Sequence, residues 1–528
     1  MRSNLWYNTR YLLPLKNMLS SGESLAQKFV NKWFWLYFFT FFIWPLGYLV
    51  KVLITRDLSV EEVGMLYGVI SFVTFLSIYN DLGCTESLGY FLPKTIVNKE
   101  YGKAKYLILI VLWTQIVTSF AIFSILFFTA PWLSDNYFKN DVTYILRVAW
   151  LFFIGINLLH IATAFFSATQ DTKLQKSSEL MRMGGTALWV GILFFLWIGT
   201  IGNYMIAWVG GLFLAICFAT VLVIKKYYIP YLLPVTIDRD IVLRKSFFKY
   251  ALATLFTANI GMILSQVDIQ LIIYLLGSRD VGFYTTYLSL IGIPFIILTP
   301  IISFLFPVIS ELSGRGEEHK IQSLVSRFWT YFGILGIWTG FFLFQFSEIL
   351  SVFFFWEKFR ESWIILMYSA PFIVFNFLIW IAFQVLGGTG KIAKRAHILW
   401  VTLLVNVPLN LLLIPLLWAK WSALAVWLSW IPLYYMSVRA TWLHLPLLWE
   451  KSWYINIGLA SLAFVSTYFI EKYIGHLPFF LDLILALFIY MIIFVLTNLC
   501  MIQEMISTIK NVRQKNKKIA SSDVSLPL

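Results

Sequence analysis

The chain has 528 residues, of which 60% are apolar and 12% are charged, and its net charge is +14. Soluble domains carry about 25% charged residues, so this composition, with a mean hydropathy of +0.80, excludes a large soluble domain and a nucleic-acid partner. Continuous apolar runs of roughly 20 residues, long enough to span a bilayer, recur along nearly the whole sequence. They predict an all-α polytopic membrane protein and exclude the alternating pattern of barrel strands.

Fourteen transmembrane helices are predicted in chain order. They cover residues 33–54, 62–92, 105–129, 143–167, 182–200, 203–225, 248–276, 281–308, 328–350, 362–386, 396–416, 421–438, 452–470 and 478–502. The first six make an N-terminal lobe over residues 33–225, a cytoplasmic linker covers 226–247, and the next six make a C-terminal lobe over 248–440. Two extra helices lie within residues 441–502, and basic segments at residues 1–32 and 503–528 flank the membrane part.

The distribution of Lys and Arg predicts the orientation. If the N-terminus is cytoplasmic, 31 of the 40 Lys and Arg residues fall in cytoplasmic segments and 9 in outer segments. Cytoplasmic loops of membrane proteins are enriched in Lys and Arg. We therefore predict that the chain lies in the cytoplasmic membrane with both termini in the cytoplasm.

Two segments of the chain resemble each other. Residues 53–67 (LITRDLSVEEVGMLY) and 271–285 (LIIYLLGSRDVGFYT) align without a gap, and each ends one helix, makes a short outer turn and opens the next helix at Val-Gly. Their offset equals six helices, an even number, so the two lobes have the same orientation. Transporters are often built from such parallel repeats, with the substrate path between them. We expect two parallel six-helix lobes around a central cleft.

Two carboxylates, Asp81 and Glu86, lie near the end of the second predicted helix. Ser59 and Glu62 form a Ser-x-x-Glu capping box, so this helix is predicted to begin near residue 60 and to end at Pro93. In one continuous helix, a separation of five residues turns the side chains about 140° apart, so the two carboxylates are not expected to pair. Glu86 is interpreted as a helix-end residue that reaches water. Asp81 either does the same or faces a wet cavity.

Several segments together are similar to a known family, the polysaccharide-export branch of the multidrug/oligosaccharidyl-lipid/polysaccharide superfamily, which contains the O-antigen and related lipid-linked oligosaccharide flippases. The resemblance covers about residues 33–440 and depends on the order and spacing of its segments. These are residues 56–64 (RDLSVEEVG), 81–83 (DLG), 238–250 (DRDIVLRKSFFKY), 268 (D), 281–284 (VGFY), 306–310 (FPVIS), 386–391 (LGGTGK) and 406–415 (NVPLNLLLIP). Residues 418–425 (WAKWSALA) depart from the small-residue stretch of the family.

This resemblance implies a transporter and not an enzyme. The implied substrate is a polyprenyl-pyrophosphate-linked oligosaccharide, moved from the inner to the outer leaflet by alternating access. Membrane lipids and other polysaccharide-assembly membrane proteins are the implied partners. No cofactor is expected, and H⁺ or Na⁺ is the candidate coupling ion.

An anionic pyrophosphate lipid needs cationic groups in the cleft. Lys51, Arg147 and Arg182 are therefore the candidate substrate-binding residues. Each has a simpler interpretation, because Lys51 and Arg147 could reach the outer membrane surface and Arg182 could follow from the cytoplasmic enrichment in basic residues alone. His160, deep in the fourth predicted helix, is either a proton carrier or a packing residue.

Asp268 is the second candidate for gating or ion coupling, beside Asp81. It lies in a polar patch with Ser265 and Gln270 inside an apolar helix. In the repeat alignment Asp268 corresponds to Val50, next to Lys51. If both charges face the cleft, they could approach each other, and an ion pair that makes and breaks is a plausible gate.

Two alternative functions are left open. A multidrug or cation antiporter of the same superfamily would need an acidic, apolar cavity, and the basic candidates argue against it. A membrane enzyme that acts on the lipid-linked glycan would need large outer loops with catalytic residues, whereas the longest predicted outer loop, around residues 351–361, is short.

Overall fold

The computed structural model describes residues 25–169, 171–417, 419–442, 451–474, 479–499 and 503. Within these residues every regular element is a helix, as expected of an all-α membrane protein. Residues 1–24 of the predicted N-terminal basic segment and residues 504–528 of the predicted C-terminal one lie outside the described residues.

The first half of the chain forms seven α-helices. They are α1 (Leu25–Asp57), α2 (Val60–Asp81), α3 (Cys84–Val97), α4 (Tyr101–Leu133), α5 (Thr143–Ala168), α6 (Thr172–Phe195) and α7 (Ile201–Val223). Short π-helical segments follow α4 at Ser134–Phe138 and α7 at Ile224–Leu232.

The second half contributes eleven α-helices to the described residues. They are α8 (Ile241–Ala258), α9 (Ile260–Leu275), α10 (Ser278–Gly314), α11 (Glu318–Gln345), α12 (Ser347–Phe355), α13 (Ser362–Ser369), α14 (Ile373–Gly388), α15 (Ile392–Leu417), α16 (Ala419–Trp442), α17 (Lys451–Ile474) and α18 (Phe479–Thr497). The last two correspond to the predicted extra helices, and α17 packs on α11.

The number of membrane spans is smaller than predicted when length and apolarity are both required. Seven helical stretches in the described residues meet both conditions, and nine do so if two bent pairs each count as one span. The bends are 44° between α8 and α9 and 71° between α11 and α12. Each predicted span overlaps a helix, but the count of fourteen crossings is not confirmed.

The second predicted helix is broken in two. Its start is confirmed, because the Ser59 backbone N–H donates to Glu62 Oε2 at 2.8 Å and the Glu62 N–H donates to Ser59 Oγ at 3.3 Å. The break falls at Leu82 and Gly83, whose φ angles are +48° and +73°, in the left-handed region that ends helices. The prediction that this helix ends at Pro93 is wrong, because Pro93 lies inside α3.

The linker between the halves is attached to the first half. Lys105 Nζ donates to the carbonyls of Leu232 at 3.0 Å and Val235 at 3.1 Å. Asp240 caps α8, and Lys103 lies 3.3 Å from its carboxylate. A backbone N–H in the first turn of α8, together with Lys103, holds the pKa of Asp240 below its usual range. The start of α8 is thus tied by charge and by hydrogen bonds to α4.

The two repeat-related helices, α2 and α10, cross at their glycines. A Cβ on Gly64 would lie 1.7 Å from the Ser278 carbonyl oxygen, and a Cβ on Gly282 would lie 2.3 Å from the Val60 carbonyl oxygen. Val60 and Ser278 are themselves equivalent in the repeat. The contact is therefore reciprocal, and neither helix leaves space for a side chain at the crossing.

Polar contacts between the halves surround this crossing. Lys358 Nζ donates to the carbonyls of Arg56 at 3.1 Å and Leu58 at 2.5 Å, at the end of α1. Arg279 lies 3.7 Å from both Glu61 and Glu361. This end of the bundle, which the charge distribution predicts to be the outer end, is closed.

Deeper along the same contact, three polar side chains link α2 to α9. Ser71 Oγ donates to Gln266 Oε1 at 2.7 Å, and Gln270 Nε2 donates to Ser71 Oγ at 2.9 Å. Hydrogen bonds between helices are a recurrent way of joining membrane segments. The closed end therefore combines a close backbone approach with a short hydrogen-bonded network.

We expect Gly64→Ala to destabilise the purified protein, because its methyl group would collide with the backbone of α10. Overpacking of this kind costs about 1–3 kcal/mol, which lowers the melting temperature in detergent. Gly191→Ala is the matched control, since a Cβ there meets nothing within 4 Å and alanine favours a helix by about 1 kcal/mol over glycine. Equal melting temperatures for the two variants would contradict the close crossing.

Candidate functional site

A cavity of about 430 Å³ lies between the two halves of the chain. Helices α1, α2, α6 and α7 line it on one side, and α9 and α10 line it on the other. Lys51 and Arg182 are its two basic residues, and Glu179 is its acidic one. The structure thus brings two of the three predicted substrate-binding residues together in one cavity.

Lys51 is buried, with 6% of its surface exposed. Its Nζ lies 3.4 Å from the centroid of the Tyr67 ring, and it has no carboxylate or hydrogen-bond acceptor within the described part of the chain. A cation over an aromatic ring gains about 0.5–2 kcal/mol, which is less than the cost of removing an ammonium from water. The interpretation that Lys51 reaches the outer surface is therefore wrong, because its side chain is buried against Tyr67 in the wall of the cavity.

Glu179 lies one helical turn before Arg182 on α6. In the described structure the two side chains do not form a direct ion pair. The Glu179 carboxylate instead lies 2.7 Å from Lys176 Nζ. The acidic group of the cavity is thus already bound to a lysine. The cavity keeps an excess of positive charge from Lys51 and Arg182.

Aromatic side chains form much of the remaining wall. Tyr48, Tyr67 and Trp208 line the cavity, and Tyr67 packs edge-on against Trp208 with 6.3 Å between ring centroids. The hydroxyl of Tyr48 and the indole N–H of Trp208 are buried and have no hydrogen-bond partner in the described residues. A buried polar atom without a partner is costly, so both atoms would gain from a hydrogen bond.

Arg147 is separate from this cavity. Its side chain is exposed on α5, and its guanidinium carbon lies 5.2 Å from the centroid of the Phe127 ring. It is not one of the cavity residues. Arg147 is therefore not part of the candidate site, and its predicted role in substrate binding stays a prediction.

Asp268 is buried on α9 but does not line the cavity, although its neighbour Ile269 does. Asn410 Nδ2, on α15, donates to Asp268 Oδ1 at 3.0 Å. The side-chain oxygens of Asn406 and Asn410 are buried without a donor. Lys51 and Asp268 have different partners, so the predicted ion pair between them is not formed in this conformation.

Asp81 and Glu86 lie side by side, contrary to the expectation from one continuous helix. The break at Leu82 and Gly83 changes the direction of the chain and brings the first turn of α3 back beside Asp81. Asp81 accepts the Thr85 backbone N–H at 3.1 Å, and Glu86 Oε2 is buried. The residue as a whole is partly exposed, so the interpretation of Glu86 as a helix-end residue that reaches water stays a prediction.

Gln115, on α4, is the functional candidate that sequence reasoning missed here. Its Nε2 donates to Asp81 Oδ1 at 2.7 Å. An amide in the middle of a long apolar helix is the signal that could have singled it out, because such a group needs a polar partner.

Comparison with known proteins identifies the family. The family model described as polysaccharide biosynthesis protein matches residues 29–313. The chain belongs to this family. An uncharacterized membrane protein of Methanocaldococcus jannaschii is 22% identical to this family member over 414 residues, which are 74% of this chain and 80% of the relative.

Two solved structures have folds similar to that of this chain. The lipid II flippase MurJ in an inward closed conformation matches with a TM-score of 0.69 at 13% identity, over 88% of this chain and 99% of MurJ. An inward-facing multidrug resistance MATE family transporter of the MOP superfamily matches with a TM-score of 0.60 at 10% identity, over 80% and 95%. The predicted resemblance to a polysaccharide family is confirmed by the family model, and the all-α membrane fold is confirmed by the structures.

We expect a cysteine at position 51 of this family member to react with a small water-soluble thiol reagent, because Lys51 lines the cavity. Val50→Cys should stay unmodified, since Val50 is 1% exposed and is not a cavity residue. The measurement is mass spectrometry of the purified protein after replacement of its three cysteines. Equal protection of the two positions would contradict a water-accessible cavity at Lys51.

Proposed function

We propose that this protein is a flippase for a polyprenyl-pyrophosphate-linked oligosaccharide, which it moves from the inner to the outer leaflet of the cytoplasmic membrane. The observation that carries the proposal is Lys51, a buried cation without an anionic partner in a cavity between the two halves. Membership of the polysaccharide biosynthesis family and the fold shared with MurJ support the same substrate class.

The cavity suits a pyrophosphate. Lys51 and Arg182 supply positive charge from two different helices, and hydrogen bonds from charged donors contribute about 1.5–3 kcal/mol each. Arg182 offers a planar fork of donors, whereas Lys51 offers a compact point charge. Together they would replace part of the hydration that the pyrophosphate loses when it leaves the membrane surface.

The aromatic wall suits the sugar. Tyr48 and Trp208 offer aromatic rings on which a sugar could stack. The lipid tail would remain in the bilayer, because only the head group needs a polar path. The reciprocal crossing of α2 and α10 is the element on which the halves would rock to open the cavity alternately to each side.

Asp268 is proposed as a coupling residue. It is held by Asn410, and the oxygens of Asn406 and Asn410 add two acceptors without donors beside it. A carboxylate with neighbouring amide oxygens is the ligand set that hard monovalent and divalent cations use. Binding of H⁺ or Na⁺ here would link a cation gradient to movement of the second half.

Export of cationic drugs is less well supported. Such a substrate needs a free carboxylate in the cavity, and the carboxylate present, Glu179, is bound to Lys176. The excess positive charge would repel a cation.

The deciding experiment is deletion of the gene in the native host. The lipid-linked oligosaccharide should accumulate on the cytoplasmic face while surface glycan falls, and the wild-type gene should restore both. Unchanged lipid-linked glycan together with a loss of cation efflux would replace this proposal with the drug-export function.

Removal of the cavity charges should weaken substrate binding. Lys51→Met and Arg182→Met each delete one charged donor, so we expect the Kd for a polyprenyl-pyrophosphate-linked oligosaccharide to rise about 10- to 150-fold. The measurement is titration of the protein in lipid nanodiscs. Arg147→Met is the control and should bind like the wild type, and a loss equal to that of Lys51→Met would contradict the site.

Asp268→Asn should weaken coupling but keep substrate binding, because it removes the charge without changing the shape of the side chain. We expect transport into liposomes to respond less than that of the wild type to an imposed H⁺ or Na⁺ gradient. Asp141→Asn is the control, since Asp141 is an exposed carboxylate between α4 and α5. Wild-type gradient dependence in Asp268→Asn would remove Asp268 from the coupling mechanism.

A further inference from the structure

A buried carboxyl pair lies at the break between α2 and α3. The Asp81 carboxylate accepts hydrogen bonds from the Thr85 backbone N–H, the Thr85 hydroxyl and the Gln115 amide. Three donors on one carboxylate stabilise its charged form. The carboxyl group of Glu86 lies beside it, close enough for one proton to join the two groups.

This cluster has more acceptors than donors. Glu86 Oε2 is buried and receives no hydrogen bond in the described structure, and neither does Gln115 Oε1, although Gln115 is only 1% exposed. Two ionised carboxylates in contact repel each other strongly in an apolar environment. A single proton on Glu86 removes this repulsion and supplies the missing donor.

We propose that Asp81 and Glu86 form a proton-binding site, in which Glu86 carries the proton and donates it in a hydrogen bond to Asp81. When the proton leaves, it passes to water at the end of the bundle where α3 ends. The site then contains two adjacent carboxylates, and their repulsion pushes α3 away from α2.

The position of α3 connects this site to the second contact between the halves. α3 packs on α8, where Ser87 Oγ donates to the Phe247 carbonyl at 3.2 Å and the rings of Tyr90 and Tyr250 stack with 4.6 Å between centroids. A Cβ on Gly83 would lie 2.1 Å from the Ala251 carbonyl oxygen. Movement of α3 would therefore open this end, so the protonated site keeps it closed.

In the described part of the chain, neither Asp81 nor Glu86 forms a salt bridge with a Lys or Arg residue. Asp81 lies on α2, Cys84 and Glu86 lie on α3, and His160 lies on α5. Helix α4 contributes the neutral Gln115, and the hydrogen bond and the ring stacking between α3 and α8 involve the neutral residues Phe247 and Tyr250 of α8. A proton is the cation that this arrangement accepts without a further ligand.

His160 connects the site to the substrate cavity, and this step rests on the proposed function. It lies within electrostatic range of both Asp81 and Arg182. An anionic substrate at Arg182 would change the field at His160 and, through it, at the carboxyl pair. Substrate entry and proton release are thereby coupled at the same end of the bundle.

The first test measures the proton on the protein alone, without a glycolipid. We expect infrared difference spectra of the purified Asp268→Asn protein, which lacks the other buried carboxyl group proposed to bind H⁺, to contain a protonated carboxyl band that disappears as the pH rises, and the variants below are made in this background. Glu86→Gln should lack this band and should fold, because it replaces a buried acid with a neutral amide of the same shape. Glu311→Gln, an exposed helix carboxylate paired with Arg315, is the control and should keep the band.

The second test follows the helix movement. Spin labels at Val97, the exposed end of α3, and at Lys245, exposed on α8, should move apart as the pH rises in the wild type. In Glu86→Gln the short distance should persist at every pH. An unchanged band in Glu86→Gln, or the same pH response of the distance in both proteins, would overturn the proposal.

These readouts separate the two proposals. Failure of the deletion experiment would remove the flippase function and leave the proton site intact, because neither spectrum requires the substrate. A flippase that transports its glycolipid normally but lacks the carboxyl band would keep its function and lose the proton site.

Discussion

The close approach of α2 and α10 at Gly64 and Gly282 determines how the two halves of the molecule meet. Glycine at both positions lets one backbone pack directly on the other, and membrane helices associate chiefly through such close packing, since lipid tails remove most of the hydrophobic drive. The neighbouring polar contacts add specificity, because exposed ion pairs alone contribute little. With this end closed, a cavity remains between the halves, and it contains the two basic residues Lys51 and Arg182.

Burial of charge is the second constraint on this fold. A charged side chain inside the membrane part is costly, and the chain reduces the cost differently at each site. Lys51 packs over an aromatic ring, Asp268 accepts a hydrogen bond from an amide, and Asp81 accepts three hydrogen bonds around a helix break. The contact of Lys51 with the aromatic ring offsets only part of the cost of its burial. An anion would therefore gain most by binding next to Lys51, which has no hydrogen-bond acceptor in the described structure.

Local features of this chain could be predicted from its sequence, and contacts between distant segments could not. The capping box at Ser59 and Glu62 needs only neighbouring residues, so the start of α2 was predictable. The break at Leu82 was not, because leucine rarely adopts a positive φ, and the approach of Gly83 to α8 that accompanies it joins helices far apart in sequence. The same reason explains why Lys51 and Arg182 were recognisable as unusual charges, whereas the hydrogen bond from Asn410 to Asp268 required the structure.

The reciprocal geometry of the crossing also bears on the origin of the chain. Two identical half-length units related by a two-fold axis form reciprocal contacts: if one residue contacts a second residue of the partner, the second residue contacts the first in the same way. One glycine per unit would then make both halves of the contact that Gly64 and Gly282 now share. If such a unit were duplicated and fused, the two positions would be encoded separately but would share one steric requirement. Neither can gain a side chain on its own, however far the surrounding sequences of the two halves diverge.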